Sequence, residues 1–319
     1  MARYRNALPQ LDGRLFLTDG GIETTLIFHE GLALPDFAAF DLLKTPQGRA
    51  ALAKYFRAYA EIARRYRAGL ILESPTWRAS PDWGKRLGYS FGTLAHANFK
   101  AIAMLEALRE ELSSEPTPVV ISGCVGPRGD GYVVERAMTA EEAEAYHREQ
   151  IQVFADTAAD MVTATTMNYA EEAEGVTRAA RRAGMPVAIA FTVETDGRLP
   201  TGQALGDAIA QVDAATASYP AYYMLNCAHP SHFEKTLAAL GPSVRRIRGL
   251  RANASTKSHA ELNESATLDA GDPGELGRDH ARLKQAHADL NVFGGCCGTD
   301  GRHVEAIARE CAPLFGSAG

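Results

Sequence analysis

Short apolar runs alternate with longer amphipathic stretches along nearly the whole chain. Leu15-Phe16-Leu17 opens the series, then a loop reaches Phe40 and a helical pattern runs over 47–67. Leu70-Ile71-Leu72 follows, with Phe99, Ile102, Met104, Leu105 and Leu108 at helical spacing behind it. Val119-Val120-Ile121 precedes a helix near 140–158, and Met161-Val162 precedes one near 171–183. Pro186 leads into an apolar run over 187–193 and a helix near 204–217. Tyr222-Tyr223-Met224-Leu225 is followed by a helix near 233–240. The segments 247–250 and Asn291-Val292-Phe293 complete the set, each with a helix beside it. Loops rich in Ser, Thr and Gly punctuate the cycle.

Eight such runs alternating with helices predict a parallel α/β architecture. The chain of 319 residues suits a closed (β/α)8 TIM barrel, which typically takes about 250 residues and more with insertions. No linker or repeat divides it, so residues 1–319 read as one barrel domain. An open doubly wound sheet is the competing reading. It fits less well, because Thr18-Asp19-Gly20-Gly21-Ile22-Glu23-Thr24-Thr25 lacks the spaced glycines of a dinucleotide-binding turn. In a barrel, chemistry belongs just past the C-terminal ends of the strands.

Composition narrows the function classes. Hydrophobic residues are 46% and charged residues 23%, which is ordinary for a globular protein and excludes disorder. A net charge of -6 gives no reason to hold a nucleic-acid backbone or an anionic membrane. No apolar run reaches the roughly 18 residues of a membrane span, and the first ten residues lack the apolar core of a secretory signal. The expected partners are therefore small molecules. Five cysteines in a large chain do not form a disulfide scaffold and suit a reducing cytoplasm.

Two strand ends carry cysteine. Tyr222–Leu225 runs into Asn226-Cys227-Ala228-His229-Pro230, and Asn291–Phe293 into Gly294-Gly295-Cys296-Cys297-Gly298-Thr299. Glycine lets adjacent backbones approach closely and aim their neighbours at a common point. Three thiolates from two strand ends make a tripod for zinc, with the fourth position open as in a catalytic site. Cys124 and Cys311 read as small buried hydrophobes. His229 reads as a solvent-facing loop residue turned away by Pro230.

These segments resemble the homocysteine S-methyltransferase family. The resemblance also rests on Thr18-Asp19-Gly20-Gly21-Ile22-Glu23-Thr24, Pro75-Thr76-Trp77-Arg78-Ala79-Ser80, Phe191-Thr192-Val193 and Asp196-Gly197-Arg198-Leu199, all in the family's order. It implies a zinc-dependent barrel that moves methyl from S-methylmethionine, S-adenosylmethionine or a betaine onto homocysteine, giving methionine. Cys227, Cys296 and Cys297 match the family's zinc ligands, and the zinc site needs no separate catalytic base. Asp19, Gly20, Gly21, Glu73, Thr76, Thr165 and Asn226 are the substrate-binding positions expected from it. Trp77, Trp83, Tyr169 and Phe28 are aromatic candidates to face a cationic donor.

One position departs from the family pattern. The fourth strand of the family ends in Glu-Thr, whose carboxylate holds the amino group of homocysteine. Here Ala164-Thr165-Thr166 stands in that place. Asp19, Glu73 or Glu194 would have to substitute, or the acceptor is a different thiol. A hydrolase that activates water and a zinc- or thiol-binding homologue without catalysis are the readings from other classes.

Overall fold

The computed structural model describes residues 1–112, 117–264 and 267–316. Eight parallel strands close on themselves in sequence order: β1 (Phe16–Leu17), β2 (Gly69–Glu73), β3 (Val119–Val125), β4 (Met161–Met167), β5 (Val187–Phe191), β6 (Tyr222–Asn226), β7 (Ile247–Ala252) and β8 (Val292–Gly295). Closure is made at β1, where Phe16 stands opposite Gly69 on one side and Val292 on the other. This is the (β/α)8 barrel that the alternating pattern predicts. Strands buried on both faces read as continuous apolar runs, which is why each was visible as a block and not as an alternation.

The helices are α1 (Ile22–Thr24), α2 (Pro46–Arg65), α3 (Pro81–Arg86), α4 (Phe91–Glu111), α5 (Ala140–Ala155), α6 (Ala170–Arg182), α7 (Leu205–Thr216), α8 (Pro230–Ala239), α9 (His259–Asn263), α10 (Pro273–Ala286) and α11 (Gly301–Cys311). Their starts follow local chemistry. Thr45 caps α2 by accepting the Gly48 N–H at 3.0 Å, with Pro46 in the first turn where its missing N–H costs nothing. Thr139 and Glu142 form a reciprocal capping box on α5. The short helix α1 lies in the stretch that reads as a loop to Phe40, and α3 and α9 lie where the sequence assigns no element, all three being too brief for a periodic pattern.

The barrel interior changes character along its axis. Phe16, Ile71, Val120, Met161, Ala188, Tyr222 and Val292 fill the N-terminal half with apolar side chains. That end is stoppered by the N-terminal segment. The buried Asp160 accepts the backbone N–H groups of Arg3, Tyr4 and Ile121, and pairs with Arg109 at 2.7 Å. Above the apolar layer the interior turns polar, with Glu73, Ser122, Thr163 and Arg251 all buried. That polar layer is the floor of the candidate site.

Candidate metal and substrate site

The sulfurs of Cys227, Cys296 and Cys297 lie within 4.8 Å of one another at the C-terminal mouth of the barrel. Cys227 follows β6, and its backbone is left-handed, with φ 55°. A non-glycine residue there is uncommon and costs about 1–3 kcal/mol, so the surroundings must impose it. Asn253 supplies part of that hold. Its amide N–H donates to the Cys227 carbonyl at 3.0 Å, and its Oδ1 accepts the Cys297 N–H at 3.1 Å. One buried side chain after β7 thus ties together the two cysteine-bearing loops.

The glycines before the vicinal pair are required by space. A Cβ on Gly294 would stand 1.9 Å from Thr18 Oγ1, and one on Gly295 would stand 2.1 Å from Thr299 Oγ1. Their absence lets β8 press against the β1 end, where the Gly295 N–H donates to the Asp19 carbonyl at 2.9 Å.

In this structure Cys227 and Cys296 are joined as a disulfide, while Cys297 is a free thiol reaching the mouth. The free thiols expected from the sequence are therefore seen at only one of the three positions. Metal binding by all three requires the pair in its reduced form. The donor set fits zinc, which favours soft sulfur and three protein ligands with a fourth position open. Desolvation raises the Cys297 thiol above its ordinary pKa. Cys124 and Cys311 are buried, and burial raises both thiols, as expected of packing residues.

Asn226 orients Cys227 from β6. Its amide N–H groups donate to Thr166 Oγ1 at 2.8 Å and to the Cys227 sulfur at 3.3 Å, and its Oδ1 accepts the Thr166 N–H at 2.8 Å. Thr166, β-branched at φ 61°, is held left-handed by these contacts where the β4–β5 register shifts. Thr165 is buried beside it, its hydroxyl 3.4 Å from the Cys124 sulfur. Thr76 is buried in the wall, donating to the Cys124 carbonyl at 2.7 Å.

Asp19 and Glu73 both point inward and share one cation. Arg251, at the end of β7, donates to Asp19 Oδ1 at 2.6 Å, to Glu73 Oε2, and to the Gly295 carbonyl at 3.2 Å. Tyr55 adds a hydrogen bond to Asp19 Oδ2 at 2.9 Å. Burial raises both carboxyl groups, and Arg251 is the largest influence pulling each back down. Glu73 therefore faces the barrel interior. Gly21 donates to the Thr299 carbonyl and hydroxyl, which docks the Asp19–Gly21 loop on the Cys296–Thr299 loop.

Three of the four aromatic candidates are otherwise engaged. Arg78 lies between two indoles, 4.0 Å from the Trp77 ring and 3.8 Å from that of Trp83. Tyr169 accepts the Met138 N–H at 3.1 Å, and Phe28 is exposed at the rim. Tyr132, in the loop after β3, stands beside the cysteines, its hydroxyl 3.4 Å from the Cys297 sulfur and its ring tilted against that of His259, with centroids 4.0 Å apart. His259 faces Glu194 at 3.2 Å and the Cys227 carbonyl. His229 is buried and caps α8 by accepting the Ser231 N–H, so it is neither a ligand nor a solvent-facing residue.

Arg251, Asn253, Tyr132 and His259 were not singled out from the sequence. Arg251 carried a readable signal, as one of two charges in an apolar strand and the one at its C-terminal end. Tyr132 and His259 come from loops whose approach to the cysteines depends on tertiary packing.

Fold and site together define a barrel with a convergent cysteine triad at its catalytic end. The family model for homocysteine S-methyltransferases matches residues 16–311, and the chain belongs to that family. It is 28% identical over 194 residues to betaine–homocysteine S-methyltransferase 1 of Xenopus laevis, covering 55% of this chain and 46% of that protein. The same enzyme of Danio rerio is 26% identical over 188 residues, covering 53% and 45%. The matches thus span about half the length of these relatives. The homocysteine methyltransferase MmuM of Escherichia coli has the same fold. Its oxidized form superposes with a TM-score of 0.76 at 20% identity, covering 96% of this chain and 99% of that one. Its metallated form gives 0.72 at 20% identity, covering 95% and 98%.

Proposed function

We propose that this barrel is a zinc-dependent S-methyltransferase that moves a methyl group from a sulfonium or quaternary ammonium donor to a thiol, homocysteine being the first candidate. The observation that carries the reading is the convergence of Cys227, Cys296 and Cys297 at the barrel mouth, in a member of this family. Zinc bound there would hold an incoming thiol as its thiolate near neutral pH, where a free aliphatic thiol, with pKa about 8.5, is mostly protonated.

The chain's residues supply position and surroundings. Asn226 and Asn253 fix the two cysteine-bearing loops, and Arg251 holds Asp19 and Glu73 beneath them. In the transfer, the acceptor sulfur forms a bond to the methyl carbon as the donor's carbon–sulfur or carbon–nitrogen bond breaks. The electron pair of that bond leaves with the donor, which becomes neutral, and the thiol proton has already gone to solvent. No side chain is required as a general base.

A single barrel domain acting on small molecules in a reducing cytoplasm is the setting that suits three thiolates. Among the described residues no helix is long and apolar enough to cross a membrane. Thr165 favours a second reading, in which the acceptor thiol carries no amino group. Mass spectrometry over a panel of thiols and cationic donors tests both. The expected product is methionine from homocysteine, formed by zinc-replete protein and not by zinc-stripped protein. Equal turnover by stripped protein would remove the zinc-dependent mechanism.

A further inference from the structure

The departure at Thr165 raises the question of which group could receive an acceptor's ammonium. Most carboxylates around the mouth are already committed. Asp19 and Glu73 share Arg251, Glu194 faces His259, and Asp300 is held by Arg302 and His303. Glu23 is different. Among the described residues no side chain bonds to its carboxylate and it has no ion pair.

Its position is fixed by the loops that carry the cysteines. Glu23 lies in α1, directly after the Asp19–Gly21 loop. The next residue, Thr24, accepts the Gly298 N–H at 3.0 Å, pinning α1 against the segment that follows Cys296 and Cys297. On the other side, a Cβ on Gly21 would stand 2.5 Å from the Cys296 carbonyl oxygen. Glu23 is close enough to Cys297 and to Tyr132 for its charge to act on both. The half-buried Glu23, on a segment packed against the cysteine-bearing loop, thus has no cation bonded to it.

We propose that Glu23 selects amino thiols over thiols without an amino group, by holding the acceptor's ammonium while the acceptor's sulfur lies at the three cysteines. This rests on the thiol-methylation reading above and assigns the carboxylate that Thr165 does not supply. Burial raises the Glu23 carboxyl to about 7, the condition of an anion that lacks a counter-cation, and an ammonium would provide one. Arg78 and Arg251 lower it only at a distance, because one is stacked between indoles and the other is bonded to Asp19 and Glu73.

Calorimetry on reduced, zinc-loaded protein tests the proposal with homocysteine and with 4-mercaptobutanoate, which lacks only the amino group. Wild type should bind homocysteine roughly 10- to 100-fold more tightly, the range of one hydrogen bond to a charged group. Glu23→Gln should lose that margin, change 4-mercaptobutanoate by less than about twofold, and retain its zinc. A wild type without the margin overturns the proposal even if the variant does not fold. So does a variant that keeps the margin, or one in which both thiols weaken together. If wild type binds neither thiol, the methylation reading itself falls and this proposal falls with it.

Discussion

Arg251→Met removes the guanidinium that Asp19 and Glu73 share while keeping most of the side chain's length. The wild-type guanidinium is buried, 2.6 Å from Asp19 Oδ1, bonded to Glu73 and 3.2 Å from the Gly295 carbonyl. Its loss leaves two buried carboxylates without their cation. Breaking a buried ion pair from one side costs about 3–5 kcal/mol, because the remaining charge stays desolvated. For a chain of this size each kcal/mol moves the melting temperature by roughly 2 °C, so a fall on the order of 5–10 °C is expected near pH 8. The pH dependence has a definite sign. Burial holds both carboxyl pKa values above their unfolded values, and without Arg251 they rise further. A carboxyl whose folded pKa is raised binds more protons folded than unfolded, so its folded state gains stability as pH falls between the two values. The variant's deficit against wild type should therefore shrink on acidification from pH 8 toward pH 5.5. Adding Asp19→Asn and Glu73→Gln to Arg251→Met should recover much of the loss at pH 8. Differential scanning calorimetry of reduced protein reads all of this. A deficit below about 1 kcal/mol, or one that grows on acidification, would refute the account of a cation-dependent floor.

The other expectations concern the cysteine loops. Gly295→Ala places a methyl where 2.1 Å separates it from Thr299 Oγ1, so overpacking of about 1–3 kcal/mol and weakened metal binding should appear in melts and zinc titrations. Asn253→Ala frees both the Cys227 carbonyl and the Cys297 N–H. It should weaken zinc roughly 10- to 100-fold, and unchanged competition with a chelator would contradict that role. Each of Cys227→Ala, Cys296→Ala and Cys297→Ala should strip most of about one zinc per chain, and full retention in all three would remove the site assignment. Because Cys227 and Cys296 can pair, zinc uptake by oxidised protein should require a thiol or phosphine reductant.

The barrel was legible because its strands are buried on both faces and so carry short apolar blocks, such as Val119-Val120-Ile121 in β3, while helices such as α5 announce themselves with a cap and an amphipathic stripe. The cysteine cluster was legible because its glycines serve local geometry. Gly294 and Gly295 sit where no side chain fits, and that need is written beside the cysteines themselves. The partners of the acidic residues were not legible. Asp19 and Glu73 meet Arg251 only after β1, β2 and β7 have closed into one ring, which no local spacing records. The same holds for Trp77 and Trp83, whose faces Arg78 occupies, leaving Tyr132 from an irregular loop as the ring beside Cys297. His229 was misread because a histidine before proline looks like loop, whereas its ring nitrogen caps α8.

X-ray absorption at the zinc edge tests the central claim most directly, on reduced protein loaded with one zinc per chain and measured before and after homocysteine is added. Three protein sulfurs at about 2.3 Å with one lighter ligand are expected in the free protein. A fourth sulfur should replace the lighter ligand when homocysteine is present. Fewer than three sulfurs in the free protein, or a first shell that homocysteine leaves unchanged, would contradict the reading of Cys227, Cys296 and Cys297 as a thiol-activating zinc site.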